Sequence, residues 1–431
     1  MLKGRVAAMI YNLSYYSTPL ADIRRERYIP YPCENTGSVL THYVISPDVS
    51  GRGAEIGEIL RTQSSSDNYL LPKTRFSGDN GCTFSEWCTD ETLNEEWKNT
   101  SMVTHEICRL FAPESGLLLR FTLRRIFIGD AEKALYTQDG YFDHSFCEYS
   151  RDGGKSFFGL HILKYEPGAD YDPENRLDPE FLTKNQMYSG YSAVTDTNGN
   201  VITSGCVNTI LDGETVTGVA VMKGVYDRKS AAYKWREASR VAVPLSVSSR
   251  GLMEPWMVSL SDGRLLLEMR GSSTPSVAGR RWISVSEDNG ETWDSVRAMT
   301  YSDAAPFWSP STFSRILRHS RTGKLYWFGN ISPTLPDGNW PRRPLCIAQL
   351  DENTCGLIKE TKSDIDDYFP GYDSTDMVQF SNFSLREDVE TGEFCLYLSR
   401  YGERGGLDDG GKYFECDVFE YRIKLKETIG R

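Results

Sequence analysis

Residues 286–293 read Ser-Glu-Asp-Asn-Gly-Glu-Thr-Trp, and the same order of residue types returns twice in the chain. Residues 77–84 and 150–157 repeat the pattern Ser-x-Asp-x-Gly-x-Thr/Ser-aromatic, with Phe at the last position. The Asp carboxylate of such a stretch can accept backbone N–H bonds across its own turn, and the Gly can adopt a left-handed conformation. We therefore expect the aspartates of the three stretches to be structural rather than catalytic: Asp79, Asp152 and Asp288.

A second pattern, in which two apolar strands flank a turn that ends in Gly, occurs six times along the chain. The predicted hairpins are Tyr31–Ile45, Thr104–Arg125, Ser189–Asn208, Met253–Ser272, Ser309–Asn330 and Val378–Arg400. The first and last turn glycines, Gly37 and Gly392, are 355 residues apart over five intervals, a mean of 71 residues (355/5). A chain of 431 residues therefore holds about six repeats.

These repeats predict an all-β fold, a six-bladed β-propeller with four-stranded antiparallel blades. Aromatic residues make up 12% of the chain and Gly occurs 37 times, which is typical of many short strands joined by tight turns. We expect one domain over residues 1–431, because no linker interrupts the repeats. Residues 46–66, which contain Gly51, Gly53 and a run of serines, are interpreted as an inserted loop.

The charge and the apolar pattern exclude several functions. A formal net charge of −12 argues against a nucleic-acid partner, because phosphate contacts need a basic surface. No segment approaches the roughly 18 apolar residues that a membrane span needs. The N-terminal residues lack the apolar core of a secretory signal, so we expect a cytoplasmic protein unless a leader has been removed. The ten cysteines show no zinc-binding spacing, and we expect reduced thiols and neither a metal nor a cofactor.

The Ser-x-Asp-x-Gly-x-Thr stretches are similar to the Asp box, or BNR repeat. On a six-fold repeat they resemble the sialidase (neuraminidase) superfamily over nearly the whole chain. In that superfamily the fourth blade begins with a Glu that assists the nucleophile, and an Arg about sixteen residues later binds the substrate carboxylate. Glu254 and Arg270 are sixteen residues apart with an Asp-Gly turn between them, and they match those positions. The resemblance implies a glycoside hydrolase.

Weaker matches to the same family imply further site residues. Arg27, in Arg-Tyr-Ile-Pro, resembles the first arginine of the family's carboxylate-binding triad, and either Arg342 or Arg343 would be the third. A guanidinium presents a planar fork to a carboxylate, so such a cluster suits a sugar acid. Asp67, twelve residues before Asp79, lies where the family has its acid/base aspartate.

The sequence departs from the family at the nucleophile. Sialidases use a Tyr on the first strand of the sixth blade, and the matching stretch, residues 377–384, has Phe380 at that place. Phe has no oxygen that could attack a sugar. Either Tyr372 or Tyr401 reaches the site in a different register, or the protein is not an ordinary sialidase, which is the interpretation we favour.

Three functions remain open from the sequence. The leading hypothesis is a sialidase-like hydrolase for glycans that bear an acidic sugar, with Asp67 and Glu254 as catalytic residues. The second is a propeller lyase, or an unusual glycosidase that uses His and Tyr, acting on uronate-containing glycans, with His105 as its candidate base. The third is a glycan-binding propeller without catalysis. The sequence indicates neither the sugar and its linkage nor the oligomeric state.

Overall fold

The structure, a computed structural model, describes residues 15–31, 37–46, 55–65, 67–407 and 412–426. These residues are almost all β and form six antiparallel sheets of four or five strands each. The chain is a six-bladed β-propeller, and the predicted fold class is confirmed.

The described strands are 2 to 14 residues long, and the two α-helices have 7 and 5 residues. In chain order the strands are β1 (Tyr15–Ser17), β2 (Ala21–Ile29), β3 (Gly37–Ser46), β4 (Glu55–Ser65), β5 (Asn68–Ser77), β6 (Cys88–Thr89), β7 (Asn94–Trp97), β8 (Thr100–Ala112), β9 (Leu117–Ile128), β10 (Tyr141–Ser150), β11 (Phe158–Ile162), β12 (Tyr188–Thr195), β13 (Val201–Leu211), β14 (Glu214–Asp227), β15 (Ala232–Val241), β16 (Met253–Ser259), β17 (Leu265–Arg270), β18 (Arg281–Ser286), β19 (Arg297–Ala298), β20 (Arg315–Arg318), β21 (Leu325–Asn330), β22 (Leu345–Asp351), β23 (Gly356–Leu357), β24 (Ser363–Asp366), β25 (Ser384–Glu387), β26 (Phe394–Ser399) and β27 (Val418–Leu425). The α-helices are α1 (Ala131–Thr137) and α2 (Pro179–Thr183), and single 3-10 turns lie at Glu91–Leu93, Lys359–Thr361 and Lys412–Phe414.

The chain forms two compact units, of which the first consists of residues 1–90 and 300–431. Its sheets have the strand orders β1-β2-β27-β26-β25, β3-β4-β5-β6 and β20-β21-β22-β23, and β24 also pairs with β22. The first of these sheets contains strands from both ends of the described chain, because β2 pairs with β27. Its centre is apolar, with fully buried Ile23, Leu396, Tyr421 and Ile423.

The second unit, residues 91–299, is continuous in sequence. Its sheets have the strand orders β11-β10-β9-β8-β7, β12-β13-β14-β15 and β16-β17-β18-β19. Ile202, Val219 and Val221 of one sheet pack in a buried cluster with Leu265 and Leu267 of the next. Burial of such aliphatic side chains is the main stabilising term in a β fold. A single domain over residues 1–431 remains a prediction.

Five of the six predicted hairpins are confirmed. The strand pairs are β8–β9, β12–β13, β16–β17, β20–β21 and β25–β26. All five turns contain a glycine with positive φ: Gly116 (67°), Gly199 (78°), Gly263 (93°), Gly323 (68°) and Gly392 (72°). Gly reaches this left-handed backbone at little steric cost, which is why the turns were recognisable in the sequence.

The predicted first hairpin, around Gly37, is wrong. Gly37 begins β3, and β3 pairs with β4 rather than with β2. The connection between β3 and β4, residues 47–54, lies outside the described residues.

The interpretation of residues 46–66 as an inserted loop is also wrong for Glu55–Ser65, which form β4. This strand lies between β3 and β5, and residues 56–63 are all buried, including the polar Glu58 and Gln63. A strand that is buried on both faces lacks the alternation of apolar and polar residues that marks a half-buried strand.

The three Ser-x-Asp stretches form turns with one hydrogen-bond pattern. Asp288 accepts the N–H of Thr292 at 2.8 Å with one carboxylate oxygen and the Thr292 hydroxyl at 2.6 Å with the other. Ser286 Oγ accepts the N–H of Gly290 at 2.8 Å. Asp79 and Asp152 make the same two bonds within their own turns. Each carboxylate is used locally, in agreement with a structural role.

His144 of β10 lies in the core of the second unit, where its ring stacks on Phe181 of α2 with 4.3 Å between the centroids. Burial lowers the pKa of His144 to about 4, although the neighbouring Asp143 carboxylate acts in the opposite direction. The pKa of His144 in the folded state lies below its ordinary value of 6.5, so the folded state favours the neutral ring. The resulting contribution to the free energy of unfolding is complete above about pH 6.5 and is lost as the pH falls toward 4.

We expect His144→Phe to reduce the acid sensitivity of the fold. Between about pH 7 and pH 4.5 its free energy of unfolding should fall by about 2–3 kcal/mol less than that of the wild type. Urea denaturation at both pH values, followed by tryptophan fluorescence, measures the difference. An equal fall in both proteins would contradict the assignment of the acid sensitivity to His144.

Candidate active site

In the second unit, strand β16 carries a β-bulge where the sequence resemblance is strongest. The register of β16 and β17 shifts between Met253 and Trp256. Glu254 and Pro255 therefore oppose the single residue Met269, and such a bulge redirects the side chains it carries. Glu254 has a φ of 43°, a left-handed conformation that is uncommon outside Gly and tends to occur at functional sites.

Glu254 and Arg270, which the resemblance singled out by their sixteen-residue spacing, form an ion pair with each other. A carboxylate oxygen of Glu254 lies 2.7 Å from the Arg270 guanidinium, and both side chains are largely buried. Burial by itself would lower the pKa of Arg270, but the Glu254 carboxylate outweighs it and the pKa lies above its ordinary value. The guanidinium is therefore charged at any physiological pH.

A second arginine–carboxylate pair lies in the same unit. Arg125 of β9 binds Asp143 of β10 through two parallel hydrogen bonds of 2.8 Å each. The two residues are direct cross-strand partners, so their side chains share one face of the sheet. The pKa of Arg125 is raised, because the Asp143 carboxylate more than offsets the effect of burial.

Two tyrosines connect these ion pairs. The hydroxyls of Tyr188 and Tyr191, both on β12, are 2.7 Å apart. The Arg125 guanidinium lies 5.8 Å from the centre of the Tyr188 ring, within cation–π range. Both tyrosines also contribute to the raised pKa of Arg270. We name the six side chains the paired-arginine cluster: Arg125, Asp143, Tyr188, Tyr191, Glu254 and Arg270. Such a cluster can bind an anionic, hydroxyl-rich ligand.

His105 lies on β8, opposite Leu123 of β9. Val103, two residues earlier, lies opposite Arg125, so His105 is on the same face of the sheet as Arg125. Its role as a base remains a prediction.

Four members of the paired-arginine cluster were not found from the sequence: Arg125, Asp143, Tyr188 and Tyr191. The available signal was weak. A charged Arg124-Arg125 pair stands inside an apolar strand, and Tyr-Ser-Gly-Tyr opens β12. Either pattern alone is common on a sheet face that contacts solvent.

Arg342 and Arg343, the two alternatives for the third arginine of the triad, have different partners in the first unit. Arg342 donates to the side chains of Gln379 at 2.9 Å and Ser381 at 3.2 Å. Arg343 donates to the backbone carbonyl of Asp376 at 3.2 Å. Arg342 therefore contacts residues 379 and 381, whereas Arg343 contacts residue 376, and the choice of either arginine as a site residue remains a prediction.

Phe380 is fully buried in the first unit. Its N–H donates to the carbonyl of Arg342 at 3.0 Å, and its ring lies 5.0 Å from the Arg400 guanidinium. Arg400, also fully buried, binds Asp373 through bonds of 2.8 and 2.9 Å. The assignment of Phe380 to the nucleophile position remains a prediction.

Arg27 and Asp67 belong to the first unit as well. The side chain of Arg27 is 58% exposed, and its guanidinium lies 2.9 Å from the buried Asp417 carboxylate. Asp67 is exposed in the tight connection between β4 and β5, with a φ of 61°. The roles of both residues in binding or catalysis remain predictions.

Among the described residues, no group of three or more His, Cys, Asp or Glu side chains is arranged to hold a metal ion. In the same part of the chain, no helix is both long and apolar enough to cross a membrane.

Comparison with known proteins gives similarity in structure alone. No protein-family model matches the chain, and no curated protein matches it in sequence. A Dyadobacter fermentans protein of unknown function has a TM-score of 0.60 at 14% identity, over 94% of this chain and 99% of that one. A mutant of the NanB sialidase from Streptococcus pneumoniae has a TM-score of 0.57 at 12% identity, over 97% of this chain and 73% of that one. The GH93 α-L-arabinofuranosidase of Fusarium graminearum has a TM-score of 0.51 at 11% identity, over 96% and 98%. At these identities the similarity shows the fold alone.

The close approach of β12 to the bulge can be tested at Gly190. A Cβ there would lie 2.7 Å from the carbonyl oxygen of Ser204 and 2.9 Å from Pro255 Cγ. We expect Gly190→Ala to displace the bulge and to lower the free energy of unfolding by about 1–3 kcal/mol, measured by urea denaturation. Gly78→Ala is the control, because a Cβ at Gly78 meets nothing within 4 Å. Equal stability of the two variants would contradict the close packing.

Glu403, in the first unit, should make stability depend on pH. Burial raises the pKa of Glu403 to about 7, against the effect of the nearby Arg400. The pKa of Glu403 in the folded state lies above its ordinary value of 4.5, so the folded state favours the protonated carboxyl. The contribution of this group to the free energy of unfolding is present at low pH and is lost as the pH rises through 7. Between about pH 5 and pH 8, the free energy of unfolding of the wild type should fall by about 2–3 kcal/mol more than that of Glu403→Gln. Urea denaturation at both pH values measures the difference. Parallel pH profiles of the two proteins would refute this.

Proposed function

We propose that the protein is a glycoside hydrolase that acts on glycans bearing an acidic sugar. The observation that carries the proposal is the paired-arginine cluster, in which two guanidinium groups, two carboxylates and two phenol hydroxyls lie together in one unit. Arginine forks suit a sugar carboxylate, and carboxylates are the usual acid and base groups of glycosidases. The sialidase and arabinofuranosidase among the structural neighbours support a glycosidase.

In this proposal Arg270 binds the carboxylate of the sugar, while the roles of Arg27 and Arg342 stay predictions from the sequence. Glu254 acts as a base or nucleophile, because the bulge and its left-handed backbone fix the direction of its carboxylate. The role of Asp67 as the general acid stays a prediction from the sequence. Phe380 cannot form the covalent tyrosyl intermediate of a sialidase, so water attack assisted by Glu254 is the route that these residues support.

A β-elimination is the second candidate. It is favoured by the contact between the Tyr188 and Tyr191 hydroxyls beside Arg125, because a tyrosine next to a cation can remove a proton adjacent to a uronate carboxylate. The two reactions differ in their products. Elimination releases an unsaturated uronate that absorbs ultraviolet light, whereas hydrolysis adds a hydroxyl group to the released sugar.

The test is a screen of the wild type against aryl sialosides, aryl uronides and uronic-acid polysaccharides. We expect hydrolysis of an acidic glycan other than a simple aryl sialoside. Glu254→Gln should lower kcat by about 100-fold or more, because it keeps the shape but removes the acid–base group. Arg270→Ala should weaken binding at least tenfold, about 1.4 kcal/mol.

Arg297→Ala is the matched control, since Arg297 pairs with Asp294 on the surface of the same unit. It should leave both kcat and binding unchanged. Full activity of Glu254→Gln would remove Glu254 from the reaction. An ultraviolet-absorbing product would establish the lyase instead, and binding of glycans without turnover would establish a binding propeller.

A further inference from the structure

The bulged strand β16 lies at the edge of its sheet, and the neighbouring sheet binds its outward N–H groups. Met257 N–H donates to Ser192 Oγ at 2.6 Å. Glu254 N–H donates to Cys206 Sγ at 3.2 Å. A buried backbone N–H requires a partner, and at the bulge that partner is a sulfur atom.

Cys206 is in contact with two parts of the paired-arginine cluster. It lies on β13 directly opposite Tyr188 of β12, so that their side chains share one face of the sheet. Cys206 is buried, with only 8% of its surface exposed. Burial raises the pKa of the Cys206 thiol to about 12, so the sulfur is a neutral hydrogen-bond acceptor rather than a thiolate.

We infer that Cys206 is a positioning residue for Glu254: its buried sulfur holds the Glu254 amide and thereby fixes the left-handed backbone that directs the carboxylate to Arg270. This inference rests on the function proposed above. Pro255, which follows Glu254, disfavours the right-handed helical conformation at Glu254. Without the sulfur, the peptide unit before Glu254 is therefore expected to rotate toward extended backbone, and the carboxylate moves with it.

The experiment compares Cys206→Ala with Cys206→Ser. The alanine variant has no acceptor for the Glu254 N–H. We expect its kcat to fall by about tenfold or more and its KM to change by less than about threefold, because the displaced Glu254 carboxylate acts in the reaction. The serine variant keeps an acceptor, and its kcat should stay within about threefold of the wild type. The control is Cys147→Ala, which removes another buried thiol from the core of the same unit. It should cost stability without changing kcat.

Crystal structures of the same variants measure positioning independently of activity. In Cys206→Ala, Glu254 should leave the left-handed region, and its carboxylate should lie beyond ion-pair distance from Arg270. In Cys206→Ser both features should be retained. An unchanged Glu254 backbone in Cys206→Ala would overturn the inference, and so would an equal loss of kcat in Cys147→Ala. If the wild type cleaves no glycan, the proposed function fails, while the crystal structures still decide the positioning role.

Discussion

In the first unit, strands from the two ends of the described chain pair with each other, β2 with β27, and this pairing places Arg25 directly opposite Tyr421. Arg25 of β2 and Tyr421 of β27 both bind Asp366. Arg400 lies 3.6 Å from the same carboxylate. Buried charges are costly unless each has partners, and here the partners of Asp366 come from β2, from β27 and from the residue that follows β26.

In the second unit, the bulged strand β16 lies at the edge of its sheet, and its outward backbone N–H groups need partners from elsewhere. Its N–H groups are bound by side chains from the neighbouring sheet, and Gly190 leaves room for the two sheets to approach. The bulge directs Glu254 toward Arg270, while ordinary cross-strand pairing places Arg125 beside Asp143. The site residues are therefore fixed by backbone geometry before any side chain interacts with a ligand.

The parts of the molecule that could be predicted from the sequence are those determined by neighbours along the chain. Turn glycines and aspartate turns each lie within one turn, and Glu254 and Arg270, which the resemblance singled out, lie on one hairpin. Strand β4 was missed because it is buried on both faces and carries buried polar residues.

Long-range contacts could not be predicted, because nothing in the local sequence marks the partner. The Arg125–Asp143 pair is separated by helix α1, and Cys206 is 48 residues from Glu254. A hydrogen bond between a thiol and a distant amide leaves no periodic pattern. Only the register of the strands reveals such a contact.

The division of the chain into one continuous unit and one interrupted unit has a consequence for its synthesis. As the polypeptide leaves the ribosome, the second unit has all of its strands once residue 299 has emerged. Strand β2 remains without its partner β27 until that strand has emerged; Ala21 and Leu425 are 404 residues apart (425 − 21). Unpaired strands are prone to wrong associations during that interval. We therefore expect strand β2 to need protection by chaperones in the newly made chain.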